Sequence, residues 1–161
     1  MRKYVLFLIV VCIAALGCSS PYDEGRAKKE LEKAGLPHKA YEIAQQEAQA
    51  DKPIGIIKLV EIAVNDKAYG PMLSDVACKE LIILLDIKTE LWIKTLAHID
   101  LNRVKIFFIS GLRIVDELEK GKVKTKKEFR DALLAKFAAM KTTKQEQELI
   151  DYITDVLKRY E

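Results

Sequence analysis

The fold is decided by residues 101–120, LNRVKIFFISGLRIVDELEK, which predict one long helix with apolar side chains on nearly every side. Asp100 is a good N-cap for this helix, and Gly121 ends it in the usual way. A helix that is apolar all round is normally buried, so we expect it to be the centre of a helical bundle. Gly111 costs about 1 kcal/mol against alanine in a helix interior, so Ser110–Gly111 predicts a close crossing with another helix.

Helical periodicity extends outward from this segment in both directions, and no stretch alternates with period two for long enough to predict a strand. Thr125–Glu128 and Thr143–Glu146 both have the pattern of a capping box, which opens a helix. The predicted class is all-α, an irregular bundle of about eight helices, with HEAT-like helix pairs as the alternative. The other predicted helices cover residues 27–34, 38–50, 53–64, 71–85 and 88–99, and Val76 is predicted to be buried by the fourth of them.

The first residues form a separate unit with a different composition. Arg2 and Lys3 precede an uninterrupted apolar run, Val5 to Leu16, which ends in Leu16-Gly17-Cys18. As a helix, the run is about 18 Å long, well short of the ~30 Å hydrocarbon core of a bilayer. A positive start, a short apolar core and small residues before a single cysteine resemble the lipobox signal peptide of bacterial lipoproteins. The resemblance covers residues 1–18 only, and the helical body resembles no family.

The resemblance implies that Cys18 carries diacylglycerol and an N-acyl chain, including palmitate, after cleavage between Gly17 and Cys18. Residues 1–17 are then a cleaved signal peptide, 18–25 a lipid-anchored tether and 26–161 a single α-helical domain. It also implies a place in the cell envelope, outside the cytoplasm, and the outer membrane in a source with two membranes. Ala15 stands where leucine is most frequent in this pattern. An ordinary signal peptide and an uncleaved anchor are the alternatives.

Charge and cysteine content limit the function of the mature chain. Removal of residues 1–17 leaves 144 of 161 residues and lowers the formal net charge from +3 to +1, because Arg2 and Lys3 are lost. Near-neutrality argues against nucleic acid as a partner. Cys78 is the one cysteine left besides Cys18, so no disulfide forms within the domain. Its apolar helical neighbours predict that it is buried rather than reactive.

The residues that usually support catalysis or metal binding are sparse. His38 and His98 are sixty residues apart and predict no metal site. The densest carboxylate cluster consists of Asp116, Glu117 and Glu119. It is predicted to be a solvated helix end. Because glycosidases use paired carboxylates, a cell-wall hydrolase remains the alternative. An aromatic set predicts core packing, with a small-ligand pocket as the alternative; its members are Trp92, Phe107 and Phe108.

One basic cluster allows a functional interpretation beside a solvated loop. It is a possible contact with anionic envelope material such as lipid headgroups, and its members are Lys120, Lys122, Lys124, Lys126 and Lys127. The sequence as a whole predicts a non-catalytic, lipid-anchored envelope protein without a cofactor. Its helical domain is predicted to bind a protein partner near the membrane in an assembly, adaptor or exclusion role. The oligomeric state is not indicated.

Overall fold

The computed structural model describes residues 20–118 and 126–159, with side chains for 20–114 and 127–159. This part of the chain forms nine α-helices and no strand, so the predicted all-α multi-helix bundle is confirmed. The helices are α1 (Glu24–Ala34), α2 (Pro37–Gln49), α3 (Pro53–Val64), α4 (Asp66–Tyr69), α5 (Pro71–Ile87), α6 (Thr89–Leu96), α7 (Leu101–Leu118), α8 (Lys126–Ala139) and α9 (Lys144–Arg159).

Local sequence signals account for most of the helix ends. Proline is the first residue of α2, α3 and α5, where its missing N–H has no intrahelical partner to lose. Asp23 caps α1 by accepting a hydrogen bond from the backbone N–H of Arg26 at 3.0 Å. This helix therefore begins three residues earlier than predicted. The short helix α4 was not predicted, since a single turn has no periodicity.

The second predicted capping box is formed at the start of α9. Thr143 Oγ1 accepts a hydrogen bond from the backbone N–H of Glu146 at 3.3 Å. The Glu146 carboxylate accepts one from the backbone N–H of Thr143 at 2.6 Å. These two bonds satisfy N–H groups that the helix itself cannot pair. In the first box, Thr125 lies outside the described residues.

The centre of the bundle is α3, and the prediction that the 101–120 helix holds this place is wrong. α3 packs against α1, α2, α4, α5, α6 and α7. Nine of its twelve residues are buried. On α7, by contrast, Phe107 and Phe108 point inward while Ile106 and Ile109 remain exposed. The other helices therefore surround α3, which contacts both the first helix and the seventh.

Two glycines allow helices to approach closely. The predicted crossing at Gly111 is confirmed, because a Cβ there would lie 2.7 Å from the Cys78 carbonyl oxygen of α5. At Gly55 of α3, a Cβ would lie 2.2 Å from the backbone nitrogen of Ala48, at the end of α2. Both distances are shorter than any real Cβ contact, so each crossing requires glycine.

Candidate functional site

Most residues of the two predicted charged clusters lie outside the described side chains. Cys18, Lys120, Lys122 and Lys124 lie outside the described residues altogether. Lys126 is described only by its backbone at the start of α8, and Lys127 is exposed in the same turn. Of the carboxylates, Asp116 and Glu117 belong to α7 without a described side chain, and Glu119 lies outside.

The aromatic residues considered for a ligand pocket are part of the core. Trp92, Phe107 and Phe108 are all fully buried. The indole ring of Trp92 lies 6.2 Å from the ring of Phe107 and 6.3 Å from that of Phe108. Its Nε1–H donates a hydrogen bond to the carbonyl oxygen of Leu81 at 2.8 Å. The packing interpretation of these rings is therefore the one the structure supports.

The nucleophilic and metal-ligating side chains of the described residues are not grouped. Burial, together with the charge of Asp75, raises the pKa of the Cys78 thiol to about 12, so it stays protonated at neutral pH. His38 is exposed on α2, and His98 stacks on Tyr22. Within ranges 20–118 and 126–159, no three His, Cys, Asp or Glu side chains are placed to share a metal ion.

An apolar surface runs along the outside of α5, and we call it the α5 stripe: Met72, Val76, Ile83 and Ile87. Met72 is 74% exposed, Ile87 65% and Val76 40%, while Ile83 is half-buried. The stripe is about 22 Å long, because Met72 and Ile87 are fifteen helical steps apart. Large apolar side chains aligned over this length are unusual on the surface of a monomer and often mark an interaction site.

The sequence prediction missed the α5 stripe. It placed Val76 in the core, but this side chain points to solvent. It also ended the helix at Leu85, two residues before Ile87. A signal was present: α5 has apolar residues around almost its whole circumference, more than one buried face requires. Which of its faces stays uncovered depends on where the other helices pack.

The start of the described chain is attached beside the start of α7. The ring of Tyr22 stacks on that of His98, with centroids 4.2 Å apart and planes 19° from parallel. Glu24, the first residue of α1, pairs with the guanidinium of Arg103 in the first turn of α7. The same guanidinium lies 2.5 Å from a carboxylate oxygen of Glu61 on α3. The polypeptide that leads back to Cys18 therefore leaves the domain next to α7.

The α7 outer face is the solvent-facing side of this helix and contains two isoleucines among polar and basic residues. Ile106 is 58% exposed and Ile109 45%. The other exposed residues of the described α7 side chains include two cations and no acidic group; they are Asn102, Lys105, Ser110 and Arg113. Such a mixture of large apolar and basic side chains is typical of helices that lie at the membrane–water interface.

A shallow groove of about 340 Å³ separates α7 from α9 beside the α7 outer face. Lys105 Nζ lies 5.7 Å above the centroid of the Tyr152 ring, in cation–π distance. Asp155 on the opposite wall pairs with Arg159 one turn further along α9. Burial raises the pKa of Tyr152, and its hydroxyl has no hydrogen-bond partner in the described part of the structure.

Removal of the Tyr152 hydroxyl is expected to leave the free energy of unfolding unchanged or to raise it by about 1 kcal/mol, because a buried polar atom without a partner opposes folding. Thr95 Oγ1 is also buried without a partner, so Thr95→Val should behave like Tyr152→Phe. Ser74→Ala is the contrasting control, since Ser74 Oγ donates to the Ala63 carbonyl at 2.6 Å and its loss should destabilise. Urea unfolding measures all three variants; a clear loss in Tyr152→Phe would show that this hydroxyl is satisfied in solution.

No described helix is both long and apolar enough to cross a bilayer. Compared with known proteins, the chain matches no family model, and no curated protein or solved structure is detectably similar to it. The function is therefore inferred from the residues themselves and from the surfaces described above.

Proposed function

We propose that the chain is a non-catalytic envelope lipoprotein, anchored through Cys18, whose helical domain binds a protein partner close to the membrane. Two features support the anchor. The signal-like segment ends in Leu16-Gly17-Cys18, and only five residues separate this cysteine from the first helix at Glu24. Diacylglycerol and an N-acyl chain together give a far firmer hold on a bilayer than one chain does.

The α5 stripe is the observation that carries partner binding. The side chains at positions 72, 76, 83 and 87, of which Ile83 is half-buried and the others are exposed, lie within about 60° of one another around the helix axis, so they form one narrow ridge. Charged residues flank it on both sides, Asp75, Lys79 and Asp86 on one and Glu80 on the other. A ridge of this kind fits the apolar face of a partner helix, which supplies anchors at spacings of three and four residues. We propose such a helix, from an envelope protein, as the occupant.

The anchor is tested by growing cells with labelled palmitate. The wild type should incorporate the label, and Cys18→Ser should not. Cys78→Ser is the matched control, because it removes a cysteine that the fold buries, and it should still be labelled. Equal labelling of Cys18→Ser and the wild type would contradict the proposed anchor.

The partner site is tested with a photoreactive amino acid in intact envelopes. At Met72 or Ile87 we expect one defined crosslinked protein, identified by mass spectrometry, and Val76→Asp should reduce its yield strongly. Ile43 is the matched control position, since it is an exposed isoleucine on a different helix, α2. The same products from Ile43, or no product from either stripe position, would contradict partner binding at α5.

A further inference from the structure

We infer that the α7 outer face lies on the surface of an anionic bilayer and so fixes the orientation of the whole domain. This inference rests on the proposed anchor at Cys18. It goes further because an anchor alone leaves a domain free to turn on its tether. Three features support it: the reach of the tether, the chemistry of the face, and the position of this face relative to the α5 stripe.

The tether is short enough to bring a particular part of the domain to the lipid. From Cys18 to Tyr22 the chain has four residue steps, which reach at most about 14 Å even when fully extended. Tyr22 itself is fixed against His98, three residues before α7 begins. The start of α7 is therefore held near the acyl chains, within the reach of these four steps plus the stacked side chains of Tyr22 and His98.

The chemistry of the α7 outer face suits a bilayer surface carrying negative charge. Ile106 and Ile109 are large, exposed and one turn apart, which allows both to enter the headgroup region together. Lys105 and Arg113 flank them, and basic side chains are attracted to anionic headgroups over about a Debye length. Between Asn102 and Arg113, the described part of the face contains no acidic side chain, and Asp116 and Glu117 follow further along α7.

Four described acidic residues near the face have partners of their own. Glu24 and Glu61 pair with Arg103 at the start of α7. On the neighbouring helix, Asp155 pairs with Arg159. Asp151 accepts a hydrogen bond from Gln147 at 2.8 Å. The ion pairs with Arg103 and Arg159 reduce the repulsion that an anionic surface would otherwise meet at this side of the domain.

Docking through α7 leaves the α5 stripe accessible. α7 packs on the side of α5 that contains Cys78 and Ile82, as the contacts at Gly111 show. At 100° per residue, the α5 stripe is centred about 130° around the helix from that side. A domain resting on α7 therefore presents the stripe away from the lipid, where a partner protein can reach it.

The experiment uses the lipidated protein purified from envelopes and reconstituted into vesicles of phosphatidylcholine, with or without phosphatidylglycerol. A nitroxide is attached at Ile106→Cys or Ile109→Cys, with Ile43→Cys as the matched control. Labelling is selective because Cys18 is acylated and Cys78 is buried. Collision of the nitroxide with oxygen and with a water-soluble nickel complex reports how far each position is removed from water.

We expect nickel accessibility at positions 106 and 109 to fall several-fold in the anionic vesicles, with no change at position 43. In a Lys105→Gln, Arg113→Gln background, or in high salt, this protection should weaken. Equal accessibility in both vesicle types, or equal protection at position 43, would overturn the inference. Protection that appears only with other envelope proteins present would assign the face to a protein and also overturn it. Failure of the protein to float with vesicles of either kind would instead contradict the anchor.

Discussion

Replacing Gly55 with alanine is expected to lower the free energy of unfolding by more than about 3 kcal/mol, the upper end of typical overpacking costs. The added methyl group would lie 2.2 Å from the Ala48 nitrogen, 2.6 Å from the Glu47 carbonyl carbon and 2.8 Å from the Ala48 Cα. All three are backbone atoms, so no side chain can rotate away. α2 and α3 must then separate, and α3 is the centre of the bundle.

The expected loss of stability is opposite in sign to the effect of helix propensity, so the measurement distinguishes the two. Alanine is favoured over glycine inside a helix by about 1 kcal/mol, so an uncrowded site would gain stability. Gly25→Ala is the matched control, because its Cβ would meet only the Asp23 side chain at 3.3 Å. We expect urea midpoints to fall sharply for Gly55→Ala and to change little for Gly25→Ala. A Gly55→Ala variant as stable as the wild type would contradict the close approach of α2 and α3.

The two tightly packed glycines differ in how visible they are in the sequence. Gly111 interrupts a long apolar helix, where its cost is conspicuous, so a crossing could be predicted there. Gly55 follows Pro53 by two residues, and glycine near proline is equally typical of a loop. Its role depends on the backbone of α2, which periodicity does not place. The clash is therefore a tertiary property that no local pattern contains.

The positions of the helices along the chain were more predictable than the packing of one helix against another, because helix ends are set by local residues and packing is not. Prolines and capping side chains act within a few residues, so they mark the ends of α2, α3, α5 and α9 in the sequence itself. Which helix becomes the centre depends on how all the apolar faces share a limited interior. The sequence favoured α7, yet Ile106 and Ile109 of this helix stay uncovered while α3 is enclosed.

The candidate surfaces also combine features that are local in the sequence with features that depend on packing. The α5 stripe is visible as surplus apolar residues, but its exposure depends on the packing of the remaining helices. The position of the first described residues beside α7 depends on Tyr22 and His98, whose separation of seventy-six positions has no sequence signature. Cys18, in contrast, is predicted from its neighbours alone, because the lipobox pattern is local.

The second large effect is expected at a buried lysine that joins three helices. Lys58 of α3 is 1% exposed, and its ammonium lies 2.6 Å from a carboxylate oxygen of Glu30 on α1 and 2.6 Å from one of Glu47 on α2. Glu30 also accepts a hydrogen bond from Arg26 at 2.7 Å. An enclosed ammonium is stable only while carboxylates compensate its charge, since desolvation of an isolated ion is costly.

Removing both carboxylates with Glu30→Gln and Glu47→Gln should therefore destabilise the domain by about 3–5 kcal/mol, the usual cost of leaving a buried charge unpaired. Hydrogen bonds from Lys58 and Arg26 lower the pKa of Glu30. A lowered pKa in the folded state means that this contribution is complete above the unfolded glutamate pKa of about 4.3 and is lost as pH falls below it. The double variant should consequently lose less stability than the wild type over that acidic range.

Adding Lys58→Met to the double variant distinguishes charge from packing. Methionine retains an unbranched apolar chain without the ammonium, and buried ion networks replaced by apolar residues are often as stable as the original. We therefore expect the triple variant to recover most of the lost free energy in urea unfolding and to show the same weakened acid dependence. Glu90→Gln is the control, because the Glu90–Lys94 pair is exposed and contributes little. If the triple variant remained as unstable as the double variant, uncompensated charge would not be the cause, and shape or hydrogen bonding at the α1–α2–α3 junction would be.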